Sequence, residues 1–445
     1  MSDQETLESL AAKVGELTNA VASRMKSQGL LPLSFAASSS AEYPMATELA
    51  GPRFKLIEVL TDMLHLAKGG KDVILSDGLA GQHNLMVLDV LNQFDFWHAV
   101  PVDGSASYRD IAEFTKLPES LVRRILRFAM VNRLFAETAP GSGRVVHTST
   151  TAFIVRNPKY MSWIGHNMEE VKPSTVTFPE ALRRYNQGKD AASEKMRESA
   201  FGITFRDKVG DDGDFWSLLE KDGEGEQKGY RTRRFAEAMQ IARTAASVNF
   251  ELLIESGFDW ASIGEGGTVV DVGGSSGHEA VSLARAFPQL KFIVQDLPSV
   301  RDAFNINVPS ELATRIMFQE HNFFEPQTVV ADVYFMKGIL HDWPDEEASK
   351  ILRTLVRAFR PETRLVLCEG LAPPFDTEEW ASMPWVVRQG LSALDLQMLV
   401  TFNAKERTVE DWKGLLHRAD SRLELSKVFT LPGSSWAVLE IVLRG

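Results

Sequence analysis

Apolar residues recur at helical spacing through the first half of the chain and at strand spacing towards its C-terminus. Leu7, Leu10, Val14, Leu17 and Val21 stand three or four apart and predict one amphipathic helix over residues 5–28. The stretch from Pro32 to Pro44, with Ala36-Ala37-Ser38-Ser39-Ser40-Ala41, predicts a flexible linker. A further helix is expected over 51–65. Over 82–100, Leu85, Leu88, Leu91, Phe94 and Trp97 form a broad apolar stripe.

Between Ser107 and Thr150 the pattern shortens. Tyr108-Arg109-Asp110-Ile111-Ala112 opens one helix, Leu117-Pro118-Glu119 makes a turn, and 120–132 forms a second helix. Residues 134–150 then supply two short strands around Pro140-Gly141-Ser142-Gly143. Helix, turn, helix and hairpin in that order predict a winged-helix arrangement. Arg123, Arg124 and Arg127 lie where a DNA-reading helix would carry them. The same helix also holds Leu121, Val122, Ile125, Leu126 and Phe128, so packing and dimerisation are the expected role. Residues 150–260 read as mostly helical, with 207–228 as an exposed loop apart from Phe215-Trp216.

From Thr268 onward strands alternate with helices. Strands are expected at 268–273, 291–296, 315–320, 331–337 and 364–369, with helices at 277–287 and 345–359 between them. Such alternation predicts a parallel sheet covered on both faces. The end departs from it. Residues 423–429 and 436–443 flank a Leu431-Pro432-Gly433 turn and predict an antiparallel hairpin at the sheet edge.

Composition narrows the role without deciding it. Among 445 residues the formal net charge is −12, which disfavours nucleic acid, because binding phosphate backbones needs a basic surface. The only cysteine, Cys368, excludes an intramolecular disulfide and a cysteine-based zinc site, and its apolar surroundings predict a buried structural thiol. The acidic, periodic start is unlike a signal peptide, and no apolar run approaches the ~20 residues that cross a bilayer. A cytosolic enzyme is therefore expected.

Two segments carry the candidate chemistry. Val269-Val270-Asp271-Val272-Gly273-Gly274-Ser275-Ser276-Gly277 is an apolar strand breaking into a glycine-rich turn. There Gly273 and Gly274 let the backbone approach a ligand, and Gly277 permits close packing as a helix begins. Asp296 ends the following strand, about twenty residues on, where a carboxylate suits paired ribose hydroxyls. The spacing does not fit G-x-G-x-x-G, which argues against a nicotinamide cofactor. The second segment runs from Lys337 to Asp345 and places His341 just beyond a strand's C-terminal end, where open α/β sheets carry their chemistry. A histidine titrates near neutrality and can take a proton from a hydroxyl. Glu369 and Glu406 are candidate partners for its other ring nitrogen, although spacing alone makes Glu406 a solvated loop residue. Asp342 and Asp345 read as helix-capping acids.

In VVDVGGSSG, FIVQDLP, HNFF at 321–324, YFMKGILHDWPDEE, VLCEG and KERT, all in order, the chain resembles the S-adenosylmethionine-dependent O-methyltransferases of the plant caffeate type and their fungal natural-product relatives. The resemblance covers about 80–445. It implies a class I methyltransferase fold: a Rossmann-like seven-stranded sheet with an antiparallel C-terminal hairpin, preceded by a mainly helical winged-helix dimerisation domain. It implies that Gly273, Gly274 and Gly277 approach the methionine and ribose of S-adenosyl-L-methionine, that Asp296 binds the ribose, and that Asn322 and Phe323 meet the adenine, with Lys337 beside the cofactor. His341 would be the general base, flanked by Glu369 and Glu406, while Phe235, Met239 and Met398 would shape the acceptor pocket. A homodimer is also implied.

There are departures from the family pattern. Ser275 replaces a glycine common in the plant enzymes, Asn322 stands in place of aspartate, and the loop between Met398 and Glu406 is one residue shorter. The expected organisation is an N-terminal helix and linker (1–45), the dimerisation domain (46–160), a helical connecting region (161–262) and the catalytic domain (263–445). The expected activity is O-methylation of a hydroxyl on an aromatic or polyketide-like molecule. The alternative is a pericyclase or dehydratase that binds the same cofactor without consuming it.

Overall fold

The computed structural model describes residues 5–43, 47–211, 213–221, 228–245, 249–431 and 434–444. Pro44 of the expected linker, residues 212 and 222–227 of the expected loop, and the expected Pro432-Gly433 turn lie outside them. The chain forms two compact units. One comprises Met1–Pro173, Leu219–Ala242 and Pro384–Val386; the other comprises Ser174–Leu218, Arg243–Met383 and Val387–Gly445.

The first unit is mainly helical. Its opening helix, Leu7–Ser27, is capped by Thr6, whose hydroxyl accepts from the Ser9 amide. The expected linker is tied down rather than loose. Ala36 bridges Thr148, the Ser149 amide donates to the Phe35 carbonyl at 3.0 Å, and Arg156 donates to the Ala37 carbonyl at 2.8 Å. The second helical span, Thr47–Ser76, runs further than expected, but it is two helices meeting at a kink where Gly69 (φ +71°) leaves helical geometry. The apolar stripe at 82–100 divides into Gln82–Gln93 and Phe96–Ala99 at left-handed Asp95 (φ +50°), whose carboxylate caps the second piece.

Three short strands follow in sequence, β1 (Ala106–Ser107), β2 (Ala136–Glu137) and β3 (Arg144–Val146), in the order β1-β3-β2. Between β1 and β2 lie α1 (Tyr108–Thr115) and α2 (Glu119–Val131). Val122, Leu126 and Ala129 bury one face of α2, while Arg123, Arg124 and Arg127 stay exposed on the other. Part of the expected 207–228 loop is helical instead: Phe215–Lys221 forms a helix with Phe215, Leu218 and Leu219 buried. Those apolar positions at helical spacing outweighed the glycines and charges around them.

The second unit is built on a seven-stranded sheet of β4 (Thr268–Val272), β5 (Lys291–Asp296), β6 (Ile316–Glu320), β7 (Val333–Lys337), β8 (Arg364–Gly370), β9 (Leu423–Thr430) and β10 (Trp436–Leu443). The order is β6-β5-β4-β7-β8-β10-β9. The first five strands are parallel, while β10 pairs antiparallel with both β8 and β9, giving the expected edge hairpin. Alternation sorts the side chains. Val269, Phe335, Val366 and Cys368 enter one core, and Val270, Tyr334, Leu365 and Leu367 enter the other. Cys368 is fully buried, and burial pushes its thiol pKa up, so it is an inert core residue. Chain order reverses between β4 and β7, which makes the crevice at their C-terminal ends the switch point where open α/β sheets take ligands.

Candidate active site

Four loops meet at that switch point. The first follows β4. Gly273 is left-handed (φ +71°), and a Cβ there would come within 2.7 Å of Ile339 Cδ1 and 3.9 Å of Phe323 Cε1. Gly277 (φ +75°) caps α3 (His278–Ala286) against the Phe304 ring. Gly274 has another reason to be glycine: a Cβ would strike the Asp271 carboxylate at 2.5–2.6 Å. Ser275 is also left-handed (φ +51°), which explains why a glycine would suit this position.

Asp296 lies at the end of β5 with its carboxylate partly exposed. Oδ2 accepts from the Ser275 amide and Oδ1 from the Leu297 amide, at 2.8 and 2.7 Å. Burial raises its pKa, and these two amides oppose the rise. The carboxylate is thus fixed against the glycine turn with lone pairs to spare. Phe323 is half-buried beside Gly273 and meets Trp343 edge-to-face at 5.8 Å. Asn322 is exposed, and its Oδ1 accepts from the Phe324 amide at 3.0 Å.

A buried charge cluster closes the inner end. Lys337 Nζ donates to Glu279 Oε1 at 2.8 Å and sits 4.3 Å over the Phe250 ring. Arg243 reaches the same Glu279 oxygen at 2.9 Å. Asp271 is buried, and its Oδ2 has no hydrogen-bond partner. Burial, with the charges of Glu279 and Asp296, raises its pKa to about 8, against the pull of Lys337 and Arg243. An orphaned carboxylate beside two cations and a second carboxylate suits a zwitterionic amino-acid end. With Asp296 for a ribose and the Gly273 cradle, the residues present fit S-adenosylmethionine. Sequence reasoning missed Asp271, Glu279 and Arg243. Only Asp271 carried a signal, as a lone carboxylate inside an apolar strand.

His341 stands in the loop after β7, in a short 3₁₀ turn, Leu340–Asp342. Its Nδ1 lies 2.8 Å from Glu406 Oε1, with the histidine side chain 12 % exposed and the glutamate 0 %. The solvated-loop expectation for Glu406 fails, since its segment folds back against the end of β8. Gly370 makes room there, because a Cβ would overlap Glu406 Oε2. Glu369 does not touch the imidazole. Its Oε1 accepts from the Ile339 and Leu340 amides at 3.1 and 2.8 Å, which fixes the loop carrying His341. Asp342 Oδ1 is 3.7 Å from Nε2, and the Trp436 ring meets the imidazole edge-to-face at 5.8 Å.

Burial alone would lower the His341 pKa. The charges of Glu406 and Asp342, the Glu406 hydrogen bond and the charge of Glu369 outweigh it and raise the pKa to about 10. Burial raises Asp342 to about 7, with His341 pulling it down and the two glutamates pushing it up. Met398 is buried near the end of α4 (Trp385–Phe402), where its carbonyl accepts from the Ala404 amide at 3.3 Å. Phe235 and Met239 stand half-buried on the helix Tyr230–Ala245, in the first unit, with Phe235 edge-to-face on His166 at 5.4 Å.

A family model described as an O-methyltransferase domain matches residues 196–421. The chain is similar to the O-methyltransferase lcsG of Purpureocillium lilacinum, at 32 % identity over 93 % of this chain and 89 % of that protein. Among solved structures it resembles OxaC in complex with sinefungin and meleagrin, at 20 % identity with a TM-score of 0.75, covering 98 % and 99 % of the two chains. A structure described as a pericyclic reaction enzyme shares the fold at 22 % identity and a TM-score of 0.70, over 99 % and 100 %. At such identities the fold alone is shared.

Proposed function

The chain belongs to the O-methyltransferase family, with S-adenosylmethionine as methyl donor, and we propose that it methylates a hydroxyl on an aromatic or polyketide-like small molecule using His341 as base. The observation that carries the proposal is the buried His341–Glu406 pair at the C-terminal end of the parallel sheet. The cofactor supplies a methyl group already activated on a cationic sulfur. The protein therefore has to bind, orient and move one proton.

In the neutral imidazole, which appears as pH rises towards about 10, Glu406 holds the Nδ1 proton and leaves Nε2 as the accepting nitrogen. The acceptor's hydroxyl proton would pass to Nε2 and the imidazolium would rest against Glu406, while bound S-adenosylmethionine would supply the methyl group and leave as S-adenosylhomocysteine. Glu369 positions the loop through two backbone amides. Against burial, the charges of Glu406 and Asp342 raise the His341 pKa, which favours proton uptake from a weakly acidic hydroxyl such as a phenol.

Asp296 and the Gly273 turn hold the nucleoside, with Asn322 and Phe323 at the adenine. Asp271, Glu279, Lys337 and Arg243 take the amino-acid end. Met398 contributes to the acceptor pocket. The relatives at over 30 % identity across most of the chain are O-methyltransferases, so the pericyclic alternative is not favoured.

The protein acts as a cytosolic homodimer, with residues 46–160 serving as a winged-helix-like dimerisation domain rather than a DNA reader. In support, Leu60, Leu64, Leu75, Leu79 and Met86 are exposed along the N-terminal helices. No described helix is long and apolar enough to cross a membrane. Incubation with phenolic candidates and mass spectrometry tests the activity. One S-adenosylhomocysteine should form per methylated product, and product formed without it would exclude methyl transfer.

A further inference from the structure

Glu406 is followed directly by a buried arginine that the catalytic scheme does not use. The Arg407 side chain is fully buried, a costly place for a guanidinium unless every donor is met. Its donors are met by one loop. One terminal nitrogen donates to the Leu340 carbonyl at 2.6 Å. The other donates to the Trp343 carbonyl at 2.8 Å and to Asp345 Oδ1 at 2.7 Å, and Nε donates to that same oxygen at 3.0 Å. Leu340 and Trp343 bracket His341. The Arg407 backbone is held as well, through a parallel bridge to Leu371 just past β8 and a 3.4 Å bond from the Ala372 amide to its carbonyl.

One residue thus joins two segments at two points. Its main chain fixes the position of Glu406, and its side chain fixes the loop that carries His341. The two members of the base pair come from segments 65 residues apart in the chain, and no other described side chain grips both carbonyls that flank the histidine. Asp345 has a matching task. It opens the helix Asp345–Val356, where a carboxylate is expected in any case, but its Oδ1 faces the guanidinium. Asp395 completes the frame by accepting from the Glu406 amide at 2.9 Å.

We propose that Arg407 is a positioning residue for methyl transfer, setting the His341–Glu406 separation by clamping the histidine loop to the glutamate's own segment. This rests on the assignment of His341 as base. A guanidinium is required, because a lysine ammonium cannot span two carbonyls and a carboxylate in one plane.

The test is a double-mutant cycle. R407K, E406Q and the combined variant are compared in kcat, in the pH dependence of kcat, and in cofactor affinity by calorimetry, which needs no turnover. R407K should lower kcat roughly ten- to a hundredfold with cofactor affinity unchanged, and should move the ascending pH limb towards that of E406Q. In the E406Q background the same change should cost less than about threefold, because the pair it aligns is already broken. Equal losses in both backgrounds, or an unmoved pH limb, would overturn the proposal. Should R407K not fold, D345N loosens the same guanidinium and enters the cycle with the same expected signs. H341A separates the two failures. If it keeps turnover, the base assignment falls and this inference with it; if it is inactive while the cycle is additive, only the role of Arg407 falls.

Discussion

Replacing Glu406 by glutamine keeps the shape of the His341 partner and removes its charge. In the wild-type protein the carboxylate oxygen lies 2.8 Å from Nδ1, and the histidine pKa stands at about 10. Unit charges about 4 Å apart at an effective dielectric of ~20 attract by ~4 kcal/mol, equivalent to roughly three pKa units at ~1.4 kcal/mol each. Without that charge, burial is opposed only by Asp342 and Glu369, so the pKa should fall by roughly three units, to about 7. The sign follows from the raised value. The ion pair stabilises the fold fully below pH 6.5 and ceases to do so as pH rises through about 10. The neutral base appears over that same upper range.

The assay is kcat/KM for the cofactor between pH 6 and about 10.5, since this parameter reports groups in the enzyme before the cofactor binds. Wild type should show an ascending limb well above pH 6.5. In E406Q the limb should move to lower pH by ~1–3 units, and the plateau should fall because the weaker base and the freed tautomer both cost rate. A limb at the same pH in both proteins would show that Glu406 does not set the histidine's charge.

Three further outcomes follow from other parts of the site. D271N removes a buried carboxyl whose pKa is raised to about 8, so the decline in wild-type stability as pH rises from about 4 to 8 should flatten, while calorimetry should show weaker cofactor binding. S275G relieves a left-handed serine (φ +51°) and should leave stability unchanged or raise it by up to ~1 kcal/mol in denaturant titrations, although glycine's added unfolded-state freedom offsets part of the gain. G370A drives a methyl group into the space of Glu406 Oε2 and should lower kcat more than cofactor affinity, as a split between kinetic and calorimetric measurements would reveal.

The sheet was legible because its central strands are buried on both faces and read as apolar runs, while β6 and β9 at its edges are partly exposed; every expected strand from 268 to 443 formed within two residues of its expected bounds. The glycine turn, Asp296 and His341 were legible because sheet topology puts strand ends at the ligand crevice. Glu406 was assigned only through the resemblance carried by KERT, since nothing in the spacing of Asn403-Ala404-Lys405-Glu406-Arg407 distinguishes a solvated loop from one folded onto β8. Burial there depends on Gly370 and Arg407, which act only in three dimensions. The helical residues beyond 65 were not read from the sequence, and the Thr47–Ser76 span is interrupted at Gly69, whose backbone is non-helical.

The central claim is that His341 takes the acceptor's proton in a reaction that consumes the cofactor. Its most direct measurement is S-adenosylhomocysteine formed per methylated phenol by wild type and by H341A, alongside cofactor affinity for both. The account predicts one-to-one stoichiometry for wild type, loss of turnover in H341A, and cofactor binding that is nearly unchanged. Turnover within about tenfold of wild type in H341A, a smaller loss than the ~10²–10⁴ expected for a general base, would contradict it.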